Sequence, residues 1–115
     1  MLGSLIPKRD YTASMRVISR PKLLRFWQLH PDAERGLQTW LEDAGQAQWT
    51  GPQDIKRRYA SASFLAANRV VFNIKCNDYR LVVAVAYRYQ AVYIKFIGTH
   101  AQYDAIDAAT VEPKL

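Results

Sequence analysis

The hydrophobic pattern of this 115-residue chain changes from a helical period to a strand period near residue 69. Beyond that point three apolar runs, residues 70–75, 79–87 and 91–97, are separated by three-residue turns. Short runs joined by connections too short for a crossover pair as an antiparallel meander. Before that point the apolar residues recur every three or four positions. The sequence therefore predicts an α+β fold, in which N-terminal helices and a short C-terminal helix flank a small antiparallel sheet of three or more strands.

Two helices are predicted before the middle of the chain. Ser19 is a candidate N-cap for the first helix, with Pro21 in its first turn, and Pro31 ends it. Asp32 is the predicted cap of the second helix. The apolar residues of that helix follow the spacing of one helix face. They are Ala33, Leu37, Trp40, Leu41 and Ala44.

Two shorter helices are predicted further along the chain. Thr50, with Gln53 three residues later, has the capping-box pattern and opens a helix over residues 51–58. Thr99 is the predicted cap of a final helix over residues 100–106. This helix follows the last strand directly, so it starts at one end of the sheet.

Composition sets the limits of the fold. Residues 1–14 show no period and are predicted to be an N-terminal extension or an upstream start outside the fold, with a domain over 15–110 and a tail over 111–115. The single cysteine, Cys76, rules out an intrachain disulfide, which agrees with a cytoplasmic location. The longest apolar run, residues 81–86, is far shorter than the ~20 residues that a membrane helix needs.

Positive charge is concentrated in one stretch. The net charge is +6, yet residues 56–95 alone carry eight basic residues against one acidic residue, Asp78. The basic residues are Lys56, Arg57, Arg58, Arg69, Lys75, Arg80, Arg88 and Lys95. Such clustering is expected for a protein that binds a polyanion. The alternative is a solvated basic surface that only aids solubility.

Hairpin geometry predicts the register of the sheet. If each hairpin closes over three turn residues, Lys75 lies opposite Tyr79, and Tyr87 lies opposite Ala91, with Asn77 in a left-handed turn conformation. One face then forms the core. It holds Val70, Phe72, Ile74, Val82, Ala84, Ile94 and Phe96. The other face interleaves cations and aromatic rings, a composition suited to RNA. It includes Lys75, Lys95, Tyr79, Tyr93 and Asn73.

The same register brings four reactive side chains together. Arg80 is predicted to lie opposite Gly98, two residues before His100, with Tyr103 and Asp104 in the helix that follows. The arginine fork matches a phosphate, and an imidazole transfers protons near neutral pH. Such a set is able to cleave RNA without a metal. A base activates the 2′-hydroxyl, a cation stabilises the phosphorane, and an acid protonates the 5′-oxygen.

Each of these residues also has a structural interpretation. Arg80 is alternatively an anchor paired with Asp104, His100 a residue that bonds the backbone, and Tyr103 a part of the core. Lys75 and Lys95 are alternatively solvated strand charges, which is the usual fate of such side chains. The sequence shows no glycine-rich phosphate loop and no cluster of metal ligands, so neither a cofactor nor a metal is predicted.

Several segments resemble one bacterial protein family. They lie at residues 15–19, 26–33, 70–75, 77–81 and 98–104. In particular, the Asn-x-Tyr-Arg-Leu and Thr-His-x-x-Tyr-Asp motifs together are similar to those of the HigB toxins of type II toxin–antitoxin systems, in the wider RelE-like group. The resemblance covers nearly the whole predicted domain. One departure is Cys76-Asn77, where the family commonly has Gly-Asn at the first hairpin turn.

The resemblance implies a function, a partner and a set of site residues. It implies an mRNA endoribonuclease (an mRNA interferase) that acts on translating ribosomes and is neutralised by a HigA-type antitoxin with a helix-turn-helix domain. The family pattern falls on Asn77, Arg80, Thr99, His100, Tyr103 and Asp104. The predicted catalytic residues are Arg80, His100, Tyr103 and Asp104. The predicted RNA contacts are Lys56, Arg57, Arg58, Lys75, Asn77, Lys95 and Thr99.

Two other functions use the same basic sheet. The first is a non-catalytic module that binds RNA or the ribosome, which would bind in a salt-sensitive way without generating new RNA ends. The second is a protein-interaction subunit whose basic face serves an acidic partner. A neighbouring reading frame for a small helix-turn-helix protein would favour the toxin over the second of these.

Overall fold

The computed structural model describes residues 15–113, and the predicted N-terminal extension lies outside the described residues. The chain begins with strand β1 (Arg16–Ile18) and helix α1 (Arg20–Leu29). A single 3-10 turn (Pro31–Ala33) then leads into α2 (Glu34–Gln46), which is followed by α3 (Pro52–Arg58). The first half is therefore helical, as predicted, apart from β1.

The second half forms most of a five-stranded sheet. Its strands are β2 (Ser63–Leu65), β3 (Arg69–Ile74), β4 (Tyr79–Ala86) and β5 (Ala91–Thr99), and helix α4 (His100–Asp104) follows β5 directly. The order across the sheet is β1-β5-β4-β3-β2. The meander is antiparallel, whereas β1 joins the outer edge of β5 in parallel. The α+β prediction is confirmed, and the two edge strands are additions to it.

The helix starts depart from the predicted caps. Ser19 takes a left-handed conformation with φ 79° and makes no side-chain cap bond, although Pro21 does lie at the start of α1. Asp32 lies inside the 3-10 turn and does not cap α2. The Thr50–Gln53 capping box is also wrong. Gly51 is the N-cap of α3, and the Thr50 hydroxyl donates a hydrogen bond to Asp54.

The first hairpin has a four-residue turn, one residue longer than predicted. Ile74 pairs with Tyr79, so Lys75 belongs to the turn. The left-handed residues are Lys75 (φ 51°) and Cys76 (φ 57°), not Asn77. Cys76 therefore adopts a conformation that glycine adopts at no steric cost.

The longer turn exchanges the faces of β4. Because side chains alternate along a strand, a slip of one residue moves each of them to the opposite face. Val82 and Phe96, predicted for the helix-side core, instead pack with Val71 and Ala108 on the opposite face, and Ala84 points to that side too. Tyr79, predicted for the face that carries cations and aromatic rings, is instead buried on the helix side. The helix-side core of the sheet consists of Val70, Phe72, Ile74, Tyr79, Leu81, Val83, Val85, Val92 and Ile94.

A β-bulge restores the predicted register at one end of β5. The second hairpin pairs Ala86 with Ala91, not Tyr87 with Ala91 as predicted. The register then shifts between Val83, which pairs with Ile94, and Val82, which pairs with Phe96. Lys95 is the extra residue of this bulge, since a bulge places two residues of one strand opposite one residue of its partner. Beyond the bulge Arg80 lies opposite Gly98, as predicted.

The outer face of the sheet is partly covered by the C-terminal segment. Residues 105–113, which include part of the predicted tail, cross the face that the helices leave open. Arg69 is the anchor, since its side chain is buried and donates hydrogen bonds to the carbonyl oxygens of Ala108 and Val111 and to the Glu112 carboxylate. The uncovered end of this face carries Arg80.

Candidate active site

Arg80 lies at the start of the central strand, on the outer face of the sheet. Its neighbours across the strands are Asn73 on β3 and Gly98 on β5. The guanidinium Nη1 donates a hydrogen bond to the carbonyl oxygen of Asn77, 2.8 Å away, in the turn just before the strand. Within residues 15–113 no carboxylate lies within ion-pair distance of Arg80. Its positive charge is therefore available to an anion.

Tyr103 lies against this guanidinium. The Arg80 Cζ is 5.8 Å from the centroid of the Tyr103 ring, within the range of a cation–π contact. The other side of Tyr103 packs against the outer-face cluster formed with Val71 and Val82. The predicted core role of Tyr103 and its predicted place beside Arg80 are thus both correct.

His100 and Asp104 form an open pair on α4. The distance from His100 Nε2 to Asp104 Oδ1 is 3.6 Å, and the two side chains are 56% and 66% exposed. Asp104 pairs with His100, so Arg80 is not the anchor for Asp104 that the alternative interpretation required. An exposed imidazole beside a carboxylate is a pair able to take up and release a proton at a substrate.

Backbone contacts hold α4 at this end of the sheet. Gln102 N–H donates to Thr99 Oγ1, and Thr99 N–H donates to Gln102 Oε1, which completes a capping box. The His100 N–H donates to the carbonyl oxygen of Asp78 in the first hairpin turn. The predicted Thr99 cap is confirmed, while the helix ends at Asp104, two residues earlier than predicted.

Gly98 makes the close approach of α4 to β5 sterically feasible. A Cβ atom at this position would lie 2.6 Å from Phe96 Cζ and 2.8 Å from Gln102 Oε1. Both distances are shorter than van der Waals contact allows. The sequence predicted a last strand that ends at residue 97, whereas β5 continues through Gly98 to Thr99. The steric role of Gly98, the pairing of Asn73 with Arg80 and the hydrogen bond that the Gln102 side chain accepts from the Thr99 N–H were not predicted. The Thr-x-x-Gln pattern at 99–102 is a readable signal for the last of these.

The structure brings together only part of the predicted site. We call Arg80, His100, Tyr103 and Asp104, with Asn77 and Thr99 beside them, the Arg80 site. Lys75 lies in the same turn, but its ammonium group pairs with Asp32 and Asp78. Lys95 lies further along β5, is 20% exposed and pairs with Glu112.

Asp32 and Lys75 hold the hairpin turn from the helix side. Asp32 accepts hydrogen bonds from Lys75 Nζ, at 2.8 Å, and from the Tyr79 hydroxyl. These two bonds hold the pKa of Asp32 below its usual value of 3.8, and the Asp32 carboxylate raises the pKa of Lys75. This contact joins residues 43 positions apart, and no sequence pattern predicted it.

The basic end of α3 lies apart from the Arg80 site. Arg57 pairs with Asp54, Arg58 pairs with Asp43 at 2.7 Å, and Lys56 Nζ donates to the Ala62 carbonyl oxygen and lies over Phe64. Phe64 is on edge strand β2, two strands from β4. At about 4.8 Å per strand, this alone separates the two groups by roughly 10 Å.

Fold and site define a class of protein: a small α+β domain that brings Arg80 and the exposed His100–Asp104 pair to one end of an antiparallel sheet. The sequence model of the HigB toxin family, the RelE-like toxic component of a toxin–antitoxin system, matches residues 33–106. This range includes strands β2–β5 and α4, so it contains the whole Arg80 site. The chain belongs to the HigB toxin family. Family membership implies an antitoxin as its partner. No curated protein matches the sequence.

Two further observations concern the described part of the chain. None of its helices is long and apolar enough to cross a membrane. Residues 15–113 also contain no group of three or more His, Cys, Asp or Glu side chains arranged to hold a metal ion.

Proposed function

We propose that the protein is an mRNA endoribonuclease that acts in the cytoplasm on mRNA engaged by translating ribosomes and is neutralised by a HigA-type helix-turn-helix antitoxin. One observation carries the proposal. Arg80, whose charge no described carboxylate compensates, lies with Tyr103 at the same end of the sheet as the exposed His100–Asp104 pair. A ribose-phosphate group has access to both a cation and proton-transfer groups there.

The reaction we propose is an internal transesterification. A base removes the proton of the 2′-hydroxyl, the 2′-oxygen bonds to phosphorus, and the bond from phosphorus to the 5′-oxygen breaks. An acid protonates the leaving 5′-oxygen, which leaves a 2′,3′-cyclic phosphate on the upstream fragment. His100 and Asp104 supply proton transfer in this scheme, since they are the titratable pair that is open to solvent.

Arg80 stabilises the negative charge that develops on the phosphorane. Preorganised charge of this kind is usually the largest contribution to such catalysis. The bond to the Asn77 carbonyl and the contact with Tyr103 restrict the guanidinium to one orientation before substrate binds. Tyr103 is therefore assigned one task, which is to hold the Arg80 guanidinium in place through the ring contact.

The remaining predicted residues are proposed as RNA contacts of two kinds. Asn77 and Thr99 border the Arg80 site and would contact the nucleotides beside the cleaved bond. Lys75 and Lys95 supply positive charge along the sheet, although each already has a carboxylate partner. The basic end of α3, Lys56, Arg57 and Arg58, would contact a more distant part of the RNA or the ribosome.

The test compares RNA ends in a translating extract supplied with the purified protein. We expect new 5′-hydroxyl and cyclic-phosphate ends in translated mRNA with the wild type and far fewer with Arg80→Ala or His100→Ala. Ribosome dependence is tested by omitting ribosomes from the same reaction. Salt-sensitive binding to RNA or ribosomes without new ends would replace the enzyme with the non-catalytic binding module.

A further inference from the structure

A groove runs along β5 beside the Arg80 site. Its volume is about 530 Å³, and it lies between α1 on one side and α4 with the C-terminal segment on the other. Half-buried apolar side chains form its floor and one wall: Phe96, Ile97, Ile106 and Val111. Each of these side chains is partly exposed, so the groove presents apolar surface to solvent, and contiguous exposed apolar surface marks sites of protein interaction.

The rim of the groove is basic. Lys22 and Arg25 of α1 and Lys95 of β5 line it, against one acidic residue, Glu112. Glu112 is already engaged, since its carboxylate accepts bonds from both Arg69 and Lys95. These bonds, that from Lys95 foremost, hold the pKa of Glu112 below its usual value. Arg25 is exposed and has no carboxylate partner among residues 15–113, so an occupant that fits this rim places a carboxylate beside Arg25.

Along the groove, β5 has an edge with no strand partner among residues 15–113. Strand β1 pairs with β5 only at Ala91, Val92 and Tyr93, because α1 begins two residues after β1 ends. Residues 95–97, which line the groove, therefore lie on an unpaired strand edge. A strand edge next to an apolar groove accepts an extended peptide, whose main chain bonds the edge while alternate side chains enter the groove.

We propose that this groove binds the antitoxin, through an extended segment that places apolar side chains on Phe96 and Ile106 and carboxylates beside Arg25. Family membership supplies the class of partner, while the groove supplies its chemistry. RNA fits less well, since the apolar part of the lining is aliphatic except for Phe96, which leaves one aromatic ring on which a base could stack. Protein sites that bind single-stranded RNA rely on aromatic stacking and exposed cations.

The location suggests how binding neutralises the toxin, a point that rests on the proposed function. Gln102, which lies on α4, and Ala105, which follows the last residue of α4, both line the groove. Gln102 also caps α4 through Thr99. A peptide in the groove therefore lies against the helix that carries His100 and Tyr103, where it blocks the approach of RNA to the Arg80 site.

The test uses the purified product of the reading frame adjacent to the toxin gene as the probe. Its affinity is measured by calorimetry for the wild type, Arg25→Glu and Ala105→Trp, the last of which fills the groove from an exposed position. Arg35→Glu on α2 is the matched control, since it makes the same charge change at an exposed site outside the groove. We expect at least about tenfold weaker binding, equal to 1.4 kcal/mol, for both groove variants. The control variant should bind the probe with the wild-type affinity.

RNA cleavage by the same variants separates the two proposals. Weaker antitoxin binding with unchanged cleavage supports the groove as the docking site, and absence of cleavage in every protein, wild type included, would overturn only the proposed activity. Wild-type affinity in both groove variants would overturn the docking site, as would no binding of the probe to the wild type. Loss of cleavage with unchanged antitoxin affinity would assign the groove to RNA.

Discussion

The guanidinium of Arg80 lies over the ring of Tyr103, with its Cζ atom 5.8 Å from the ring centroid. The contact joins the central strand of the sheet to a five-residue helix that begins 20 positions later in the chain. Since Nη1 of Arg80 also donates a hydrogen bond to the Asn77 carbonyl oxygen, two contacts restrain the position of this positive charge.

Replacing Arg80 removes the charge that we assign to phosphorane stabilisation. We expect Arg80→Ala to reduce the rate of mRNA cleavage by about 10²- to 10³-fold. Arg80→Lys retains the charge but not the planar fork, so its rate should fall between those of Arg80→Ala and the wild type. Primer extension on translated mRNA measures the rate, with Arg35→Ala as a surface control. Cleavage by Arg80→Ala at the wild-type rate would remove Arg80 from the mechanism.

The His100–Asp104 pair predicts an unequal effect of two substitutions. His100→Ala should reduce cleavage by roughly 10²- to 10⁴-fold, the contribution usual for a proton-transfer group. Asp104→Asn should reduce the cleavage rate much less. The carboxylate is 3.6 Å from the imidazole and 66% exposed, so water screens the interaction between them. Both rates are measured on folded protein, verified by circular dichroism. A greater loss for Asp104→Asn than for His100→Ala would reverse the assigned roles.

Gly98→Ala tests the steric requirement beneath α4. The added Cβ would meet Phe96 and Gln102 at distances below 3 Å, so we expect the free energy of unfolding to fall by about 1–3 kcal/mol. Gly45→Ala in α2 is the control. Nothing lies within 4 Å of its added Cβ, and alanine favours a helix, so stability should rise by about 0.5–1 kcal/mol. Urea unfolding measures the free energy of unfolding of both variants. A Gly98→Ala variant as stable as the wild type would contradict the close packing between Gly98, Phe96 and Gln102.

Arg69 and Glu112 form an ion pair with unequal contributions. Arg69→Met leaves the carbonyl oxygens of Ala108 and Val111 without their donor in a mostly buried place, so we expect a loss of about 2 kcal/mol. Glu112→Gln affects a side chain that is 60% exposed, and its cost should stay below about 1 kcal/mol. Denaturant unfolding of the two variants gives the comparison. Equal losses would mean that the ion pair, and not the carbonyl contacts, holds the C-terminal segment.

The lowered pKa of Asp32 predicts that the protein loses stability at acidic pH. Because folding lowers its pKa below 3.8, the bonds to Lys75 and Tyr79 stabilise the native state above that pH. The stabilisation is lost as the pH falls through the lowered pKa of the folded protein. Asp32→Asn should therefore reduce Tm at pH 7 and show a smaller further decrease at pH 3 than the wild type. Scanning calorimetry at both pH values, with exposed Glu42→Gln as the control, decides this; parallel Tm curves for wild type and Asp32→Asn would refute it.

How far the sequence predicts the site is clearest at the two hairpins. The strand runs were correct because β-branched and aromatic residues favour strands wherever they cluster. The predicted turn lengths were wrong by one residue, since a lysine such as Lys75 is compatible with either a strand end or a turn. The error at the second hairpin is one residue, and the bulge at Lys95 offsets it, so Arg80 lies opposite Gly98 as predicted. This agreement came from two compensating features, not from a correct register throughout.

The sequence by itself determined the order of the main helices and of the three meander strands, together with the capped start of α4, because each depends on local periodicity or on neighbours close in the chain. The register that places Arg80 opposite Gly98 depends on the turn lengths and on the bulge at Lys95, which no local pattern showed. Tertiary structure alone decided which face Val82 and Tyr79 occupy, where residues 105–113 lie, and that Asp32 binds Lys75. These contacts join distant positions, and their energies depend on how separate elements pack against each other. No short-range pattern in the chain encodes that packing.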